Sequence, residues 1–249
     1  PNKKVGEIIF IVYQKENDKI QKCRHALLLL KTVKSIAFEN KDYYFGEYSR
    51  DDKNNIKPNG KGMMRYNSGD MYYGDFIDGK RSGKGIIKTA EYTYDGEFKN
   101  DQANGKGKLV TSNGDEYNGG FVNDVKQGQG IMKYADGRIY NGEWYNNKIH
   151  GDGKFTWPDG TEYTGKFKDD QRHGIGALKT NEWEYTGDFV YDDMQGHGIL
   201  QYKNGKLYIG PMVNNKPKGE GLSVWGGIQY YGGFRDGKFH GQGRMVHED

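Results

Sequence analysis

The chain has 249 residues, of which only 34% are hydrophobic while 39 are glycine and 20 are tyrosine; 37 basic side chains are mixed with 34 acidic ones. That is too little aliphatic material for an ordinary globular core, and charges interspersed in this way exclude the clustered basic footprint of a nucleic-acid binder. A single cysteine, Cys23, rules out an intrachain disulfide framework and a Cys-based zinc site, and no run approaches the ~20 apolar residues of a membrane-spanning helix, so a soluble, cytoplasmic chain is expected.

The first 43 residues carry no repeat. Residues 7–13 are β-branched and aromatic enough for a strand. From Ile20, the residues Cys23, Ala26, Leu27, Leu30, Val33 and Ala37 approximate helical spacing, with Lys22, Arg24, Lys31 and Lys34 among them. This predicts a basic amphipathic helix, acting as an end cap or as a docking element through Cys23, Leu27 and Leu30. A degenerate hairpin, with strands at 26–32 and 35–38, is the competing pattern.

From Tyr44 onward one motif recurs. Tyr-x-Gly-x-Phe/Trp/Tyr begins at Tyr44, Tyr72, Tyr94, Tyr117, Tyr140, Tyr163, Tyr185, Tyr208 and Tyr230, at intervals of 28, 22, 23, 23, 23, 22, 23 and 22 residues. The long first interval is an enlarged polar loop. Each unit continues with Gly-x-Gly, an apolar residue two positions on and often an aromatic two after that, as in Gly151, Gly153, Phe155 and Trp157. The marked residues fall at every second position, the period of a strand, so each unit is two strands. Asn113-Gly114, Asp136-Gly137, Asp159-Gly160 and Asn204-Gly205 predict tight hairpin turns between units, while the junction inside a unit, as at residues 146–150, reads as a longer polar loop. The product is an all-β, elongated, single-layer antiparallel sheet of roughly eighteen strands, about 80–90 Å long at ~4.8 Å per strand. Aromatic rings cover the holes left by strand glycines and become the core.

Three units depart from the pattern. Ala90-Glu91 and Asn181-Glu182 replace the glycine turn, and Tyr208-Ile209-Gly210-Pro211-Met212 puts a proline in a strand, a position that must be unpaired or bulged. The final strand leaves an edge on which a second copy could pair to form a homodimer.

This concatenated pattern over residues 44–249 resembles the MORN repeat family. The resemblance implies an elongated, twisted, groove-bearing sheet. It also implies a place in assemblies of membrane, cytoskeleton, cilium, axoneme or flagellum, with the groove receiving a partner's helix or extended segment.

Catalytic motifs are absent from the sequence: there is no phosphate-cradling Gly-Lys-Ser/Thr and no Gly-x-Ser-x-Gly. His150, His173 and His240 precede the first glycine of their Gly-x-Gly pairs, but equivalent positions lie about 9.5 Å apart, too far to share a zinc ion. The pairs Asp169-Asp170 and Asp192-Asp193 read as solvated turn residues. No metal, cofactor or nucleic acid is expected.

The expected activity is protein binding along an aromatic groove. Its candidate lining is Tyr94, Phe98, Tyr117, Phe121, Tyr134, Tyr140, Trp144, Phe155, Trp157, Tyr163, Phe167, Tyr185, Phe189 and Tyr202, more ring surface than one layer can hide. Ile86, Ile131, Ile199 and Leu222 point to the opposite face. The alternative is a tether to anionic or phosphoinositide-bearing membrane through the amphipathic helix and the loop lysines Lys80, Lys148, Lys216 and Lys238.

Overall fold

The computed structural model describes residues 36–247, and all regular structure among them is β-strand. The chain forms two compact units, dividing between Val125 and Lys126. In the first, consecutive strands from Tyr43–Arg50 to Glu116–Val122 pair antiparallel with their neighbours. In the second, the same meander runs from Val125–Lys133 to Lys238–His247.

The second glycine of each Gly-x-Gly pairs with the motif glycine of the adjoining strand. In the first unit the paired series is Gly46, Gly62, Gly74, Gly85, Gly96, Gly107 and Gly119. In the second it runs Gly130, Gly142, Gly153, Gly165, Gly176, Gly187, Gly198 and Gly210. Over each glycine pair lies the motif tyrosine; a Cβ on Gly153 would meet the Tyr140 hydroxyl and come 2.5 Å from its ring, and one on Gly142 would come 2.5 Å from the Gly153 Cα. The glycines therefore form a channel in the sheet surface, and the tyrosines fill it.

The first glycine of Gly-x-Gly has a different task. At Gly151, Gly174 and Gly196 the backbone has φ of 64°, 73° and 62°, and the register shifts beside them. These are bulges, and positive φ is what demands glycine. The motif tyrosine closes each bulge by donating its hydroxyl to the carbonyl three residues on: Tyr72 to Asp75 at 3.0 Å, Tyr140 to Glu143 and Tyr163 to Lys166 at 2.9 Å.

The sequence reading exchanged the two kinds of turn. Strands Ile139–Tyr145 and Lys148–Thr156 are joined by Asn146 and Asn147 alone, with φ of 49° and 65°. The same left-handed pair recurs at Asn100-Asp101, Asn123-Asp124, Asp169-Asp170, Tyr191-Asp192 and Asn214-Asn215, so the tight, type I′-like turn lies inside the unit. Between units the Gly-containing segment is longer: Tyr134 N–H donates to Arg138 C=O and Gly137 N–H to Tyr134 C=O, with φ of 90° at Gly137. Asp-Gly suits either turn because glycine supplies positive φ in both, and Asn and Asp are the side-chain-bearing residues that tolerate the left-handed region best.

Where glycine is missing, Thr89 and Thr180 close shorter turns. Each hydroxyl accepts the backbone N–H three residues ahead, of Tyr92 or Trp183, at 3.0 Å. At Pro211 the expected irregularity takes the form of an interrupted partner: the opposing strand is split into Lys216–Pro217 and Gly219–Trp225, and Lys218 N–H reaches Pro211 C=O at 3.0 Å.

The predicted strand at 7–13 and the helix bearing Cys23, Leu27 and Leu30 lie outside the described residues. The far end of that helix is corrected, however: Ile36–Ala37 is a short strand paired with Tyr43 and Tyr44. Residue 37 thus lies in a strand, as the competing pattern placed it, but its partner is the strand at Tyr43 and Tyr44; backbone pairing there outweighs the helix propensity of one alanine.

Candidate functional site

On the motif face, the first strand of each unit supplies Tyr, Gly and Phe or Trp. Their rings interlock between units rather than open to solvent. In the first unit Phe76, Phe98 and Phe121 each stand edge-on to the tyrosine of their own repeat and to that of the preceding one, with centroids 5.0–5.4 Å apart. In the second, Phe167 and Phe189 do the same between Tyr140, Tyr163 and Tyr185. Such perpendicular pairs contribute about 0.5–1.5 kcal/mol each beyond burial. Met212, fully buried, replaces the ring in the Tyr208 repeat, and Phe234 resumes the series against Tyr208 and Tyr230.

The consequence is a division among the fourteen candidate groove residues. Tyr94, Phe98, Tyr117, Phe121, Tyr140, Trp144, Phe155, Tyr163, Phe167, Tyr185 and Phe189 are at most 8% exposed. They are the core: the tyrosines lie over the glycine pairs, and the Phe and Trp rings pack against the tyrosines. Burial also pushes the Tyr94, Tyr117, Tyr163, Tyr185 and Tyr208 hydroxyls up to about 12.

Tyr134, Trp157 and Tyr202 are different: they lie half-buried on the same face at the ends of the second strands. Sequence reasoning missed their companions. Trp183 and Trp225 are also half-buried in the second unit, as are Tyr66 and Tyr92 in the first. In the two units closed by threonine the ring comes from the start of the following strand, at Tyr92 and Trp183, two positions before the motif tyrosine. The period-two alternation carried back from Tyr94 and Tyr185 was the signal that would have found them. Ahead of the last hairpin, successive repeats of the second unit thus each present a half-buried ring at this place: Tyr134, Trp157, Trp183, Tyr202 and Trp225.

Charges flank this stripe. The Arg138 guanidinium lies 4.7 Å from the Tyr134 ring centre and Lys206 Nζ 5.8 Å from that of Tyr202. In the first unit a cavity of about 430 Å³ opens on the same face, walled by Ile87, Tyr92 and Leu109. Arg81, Glu91, Asp101 and Asp124 also line it.

The opposite face carries partly exposed aliphatics, with Ile131 and Ile199 39% and 45% exposed. His150 and His173 pack against Tyr145 and Tyr191, and each leaves a buried Nδ1 without a hydrogen bond. Among the described residues no group of three His, Cys, Asp or Glu side chains is placed to hold a metal ion, and no helix is long and apolar enough to cross a membrane. Of the loop lysines invoked for membrane binding, Lys148 pairs with Asp169 at 3.7 Å.

The family model of the MORN repeat matches residues 44–71, 72–90, 94–116, 117–137, 140–162, 163–179, 185–206 and 230–249. That is eight repeats rather than nine; the unmatched unit is the one beginning at Tyr208, where proline and methionine replace motif residues although the hairpin is formed. A curated relative, the inactive protein tyrosine kinase pTKL of Plasmodium berghei (strain Anka), is 38% identical over 73 residues. The match covers 29% of this chain and 5% of that protein, so the chain spans a small fraction of its relative. Among solved structures, the CPAP G-box domain is similar with a TM-score of 0.45 at 10% identity, over 78% of this chain and 99% of that one. The TCP10 domain of Danio rerio CPAP, solved with a STIL peptide, gives 0.44 at 12% identity, over 86% and 97%.

Proposed function

The chain belongs to the MORN repeat family, and from that premise we propose that it is a non-enzymatic scaffold that binds a helix or extended segment of a protein partner along its motif face. One observation carries the reading. Beneath the surface the aromatic demand of the fold is already met by the buried Tyr–Phe ladder, yet Tyr134, Trp157, Trp183, Tyr202 and Trp225 remain partly exposed in successive repeats. Tyr and Trp are the side chains that dominate interface energetics, at ~2 kcal/mol or more each when desolvated by a partner. The family resemblance supports a cytoskeletal or ciliary assembly as the setting.

Paired replacement of Trp157 and Trp183 by Ala tests the binding role, because neither ring sits in the glycine channel. Partner proteins crosslinked to the wild-type chain in the native cell should be lost from the double variant while its circular dichroism spectrum and melting temperature hold. Unchanged crosslinking to the same partners would sink the proposal. Immunofluorescence against tubulin and actin markers tests the setting; a diffuse signal excluded from both would remove it.

A further inference from the structure

The cavity of the first unit is unbalanced in charge. Three carboxylates line it, Glu91, Asp101 and Asp124, against one cation, Arg81. Arg81 is already engaged: Nε lies 3.4 Å from Asp101 Oδ1, an Nη donates to the Asp101 carbonyl at 2.5 Å, and the guanidinium stands 5.3 Å over the Phe98 ring. Asp124 accepts the Ala103 N–H through Oδ1 at 2.7 Å, and among the described residues no cation pairs with it. Glu91 is exposed beside the half-buried Tyr92 ring. An aromatic wall next to surplus carboxylates is complementary to a cationic side chain, through the ring face and through charge together.

Spacing narrows the occupant further. Asp101 and Asp124 hold the same place in the turns of successive hairpins, so they recur two strands apart, about 9.6 Å. A polyproline-II segment has three residues per turn and rises ~9.3 Å in that turn. Basic residues at every third position would therefore meet successive turn carboxylates, while prolines between them pack on Tyr92 and Leu109. We propose that the first unit's groove takes a basic polyproline-II segment of a partner, with its Lys or Arg side chains directed at Glu91, Asp101 and Asp124. This deepens the protein-binding reading above and rests on it.

The second unit supplies a built-in comparison. Four repeats further on, Arg172, Glu182, Trp183 and Asp192 repeat Arg81, Glu91, Tyr92 and Asp101, including the contacts of Arg172 Nε to Asp192 Oδ1 at 3.0 Å and of its guanidinium over Phe189 at 5.4 Å. At the place of Asp124, however, stands Asn215, which accepts the Met194 N–H at 2.7 Å. Asparagine thus keeps the turn and removes the charge, so Asp124→Asn is a substitution the fold already tolerates elsewhere.

The test uses the full chain and three fluorescent peptides, each of four triplets: Pro-Pro-Lys, Pro-Pro-Gln and Pro-Pro-Glu. Fluorescence anisotropy should rank them in that order, with Asp124→Asn and Glu91→Gln each weakening the Lys peptide about five-fold at low salt and leaving the Gln peptide unchanged. Tyr92→Ala should weaken both. Equal binding of the three peptides, or undiminished Lys-peptide binding in the Asp124→Asn/Glu91→Gln chain, would overturn the proposal. So would no peptide binding at all; if Trp157 and Trp183 still govern partner crosslinking in that case, the scaffold reading stands without it. If the Lys peptide binds as expected but the tryptophan variants crosslink normally, the charge-recognition groove stands and the aromatic stripe of the second unit loses its role.

Discussion

Gly79 donates its backbone N–H to the carbonyl of Pro58 at 2.8 Å, and this is the single hydrogen bond between the two residues. At the equivalent place in other repeats there are two bonds. Asp170 N–H donates to Ile149 C=O at 2.9 Å while its Oδ1 accepts the Ile149 N–H at 2.8 Å; Asp124 with Ala103, Asn147 with Lys126, Asp192 with Arg172 and Asn215 with Met194 do likewise. The second turn residue thus latches onto the preceding repeat. Where that residue is glycine, at Gly79 and Gly237, it faces Pro58 and Pro217, which have no N–H to satisfy.

This relationship predicts a graded series at one turn. Asp170→Asn should be nearly neutral, since Asn147 and Asn215 already serve. Asp170→Gly keeps the left-handed backbone but strands the Ile149 N–H, and should lower unfolding free energy by about 1–3 kcal/mol in urea titration. Combining Asp124→Gly with Ala103→Pro should lose less stability than the two single changes added together, because the proline removes the donor that the glycine leaves unpaired.

The two glycines of Gly-x-Gly should respond differently to alanine. At Gly153 the new methyl meets the Tyr140 ring, an overpacking that should lower stability by at least ~1–3 kcal/mol. At Gly128 there is open space, and only the φ of 78° is strained, for a loss of about 1–2 kcal/mol. Near-ultraviolet circular dichroism should register the first change and not the second, since only Gly153 touches a ring.

Met212 interrupts the ring ladder between Tyr185 and Tyr208. It pairs with Gly196 as Phe189 pairs with Gly174, so Met212→Phe should restore two edge-on contacts and raise the melting temperature. A gain of about 0.5–1.5 kcal/mol is expected for each restored contact. A fall in melting temperature would show that the site, fully buried as it is, lacks room for the ring.

Alkaline pH should unfold the protein cooperatively. Burial raises Tyr94, Tyr117, Tyr163, Tyr185 and Tyr208 to about 12, and holds Tyr44, Tyr72 and Tyr140 higher still. The unfolded chain releases these protons near 10, so it binds fewer protons than the folded chain above that pH. The stabilisation is complete below pH 10 and is lost as pH rises towards 12 and beyond, at about 1.4 kcal/mol per pH unit for each such tyrosine. Tyrosinate absorbance and far-ultraviolet circular dichroism should change together; tyrosinate forming well before the fold is lost would contradict the burial.

The hairpin repeat was readable from the sequence because glycine, tyrosine and alternation are local signals. The identity of the binding surface was not. Tyr140 and Trp157 look equivalent as aromatics at alternate strand positions, yet one lies over a glycine pair contributed by neighbouring strands and the other lies beyond the end of that channel. Only the register separates them. The tight turn was misplaced for a related reason: Asn146-Asn147 and Asp136-Gly137 both carry residues tolerant of positive φ, and what distinguishes them is which strand residues pair across each.

The latch also bears on how the chain reaches this structure. Each turn closes on a residue only 20 or 21 positions earlier, as Asp101 does on Arg81 and Asp170 on Ile149, so every step of assembly closes a loop of nearly constant, modest length. The entropic toll of bringing distant segments together, which slows most all-β folds, does not accumulate with chain length. Order can nucleate at any hairpin and spread to its neighbours, and a chain emerging from the ribosome can add each finished hairpin to the ones already made.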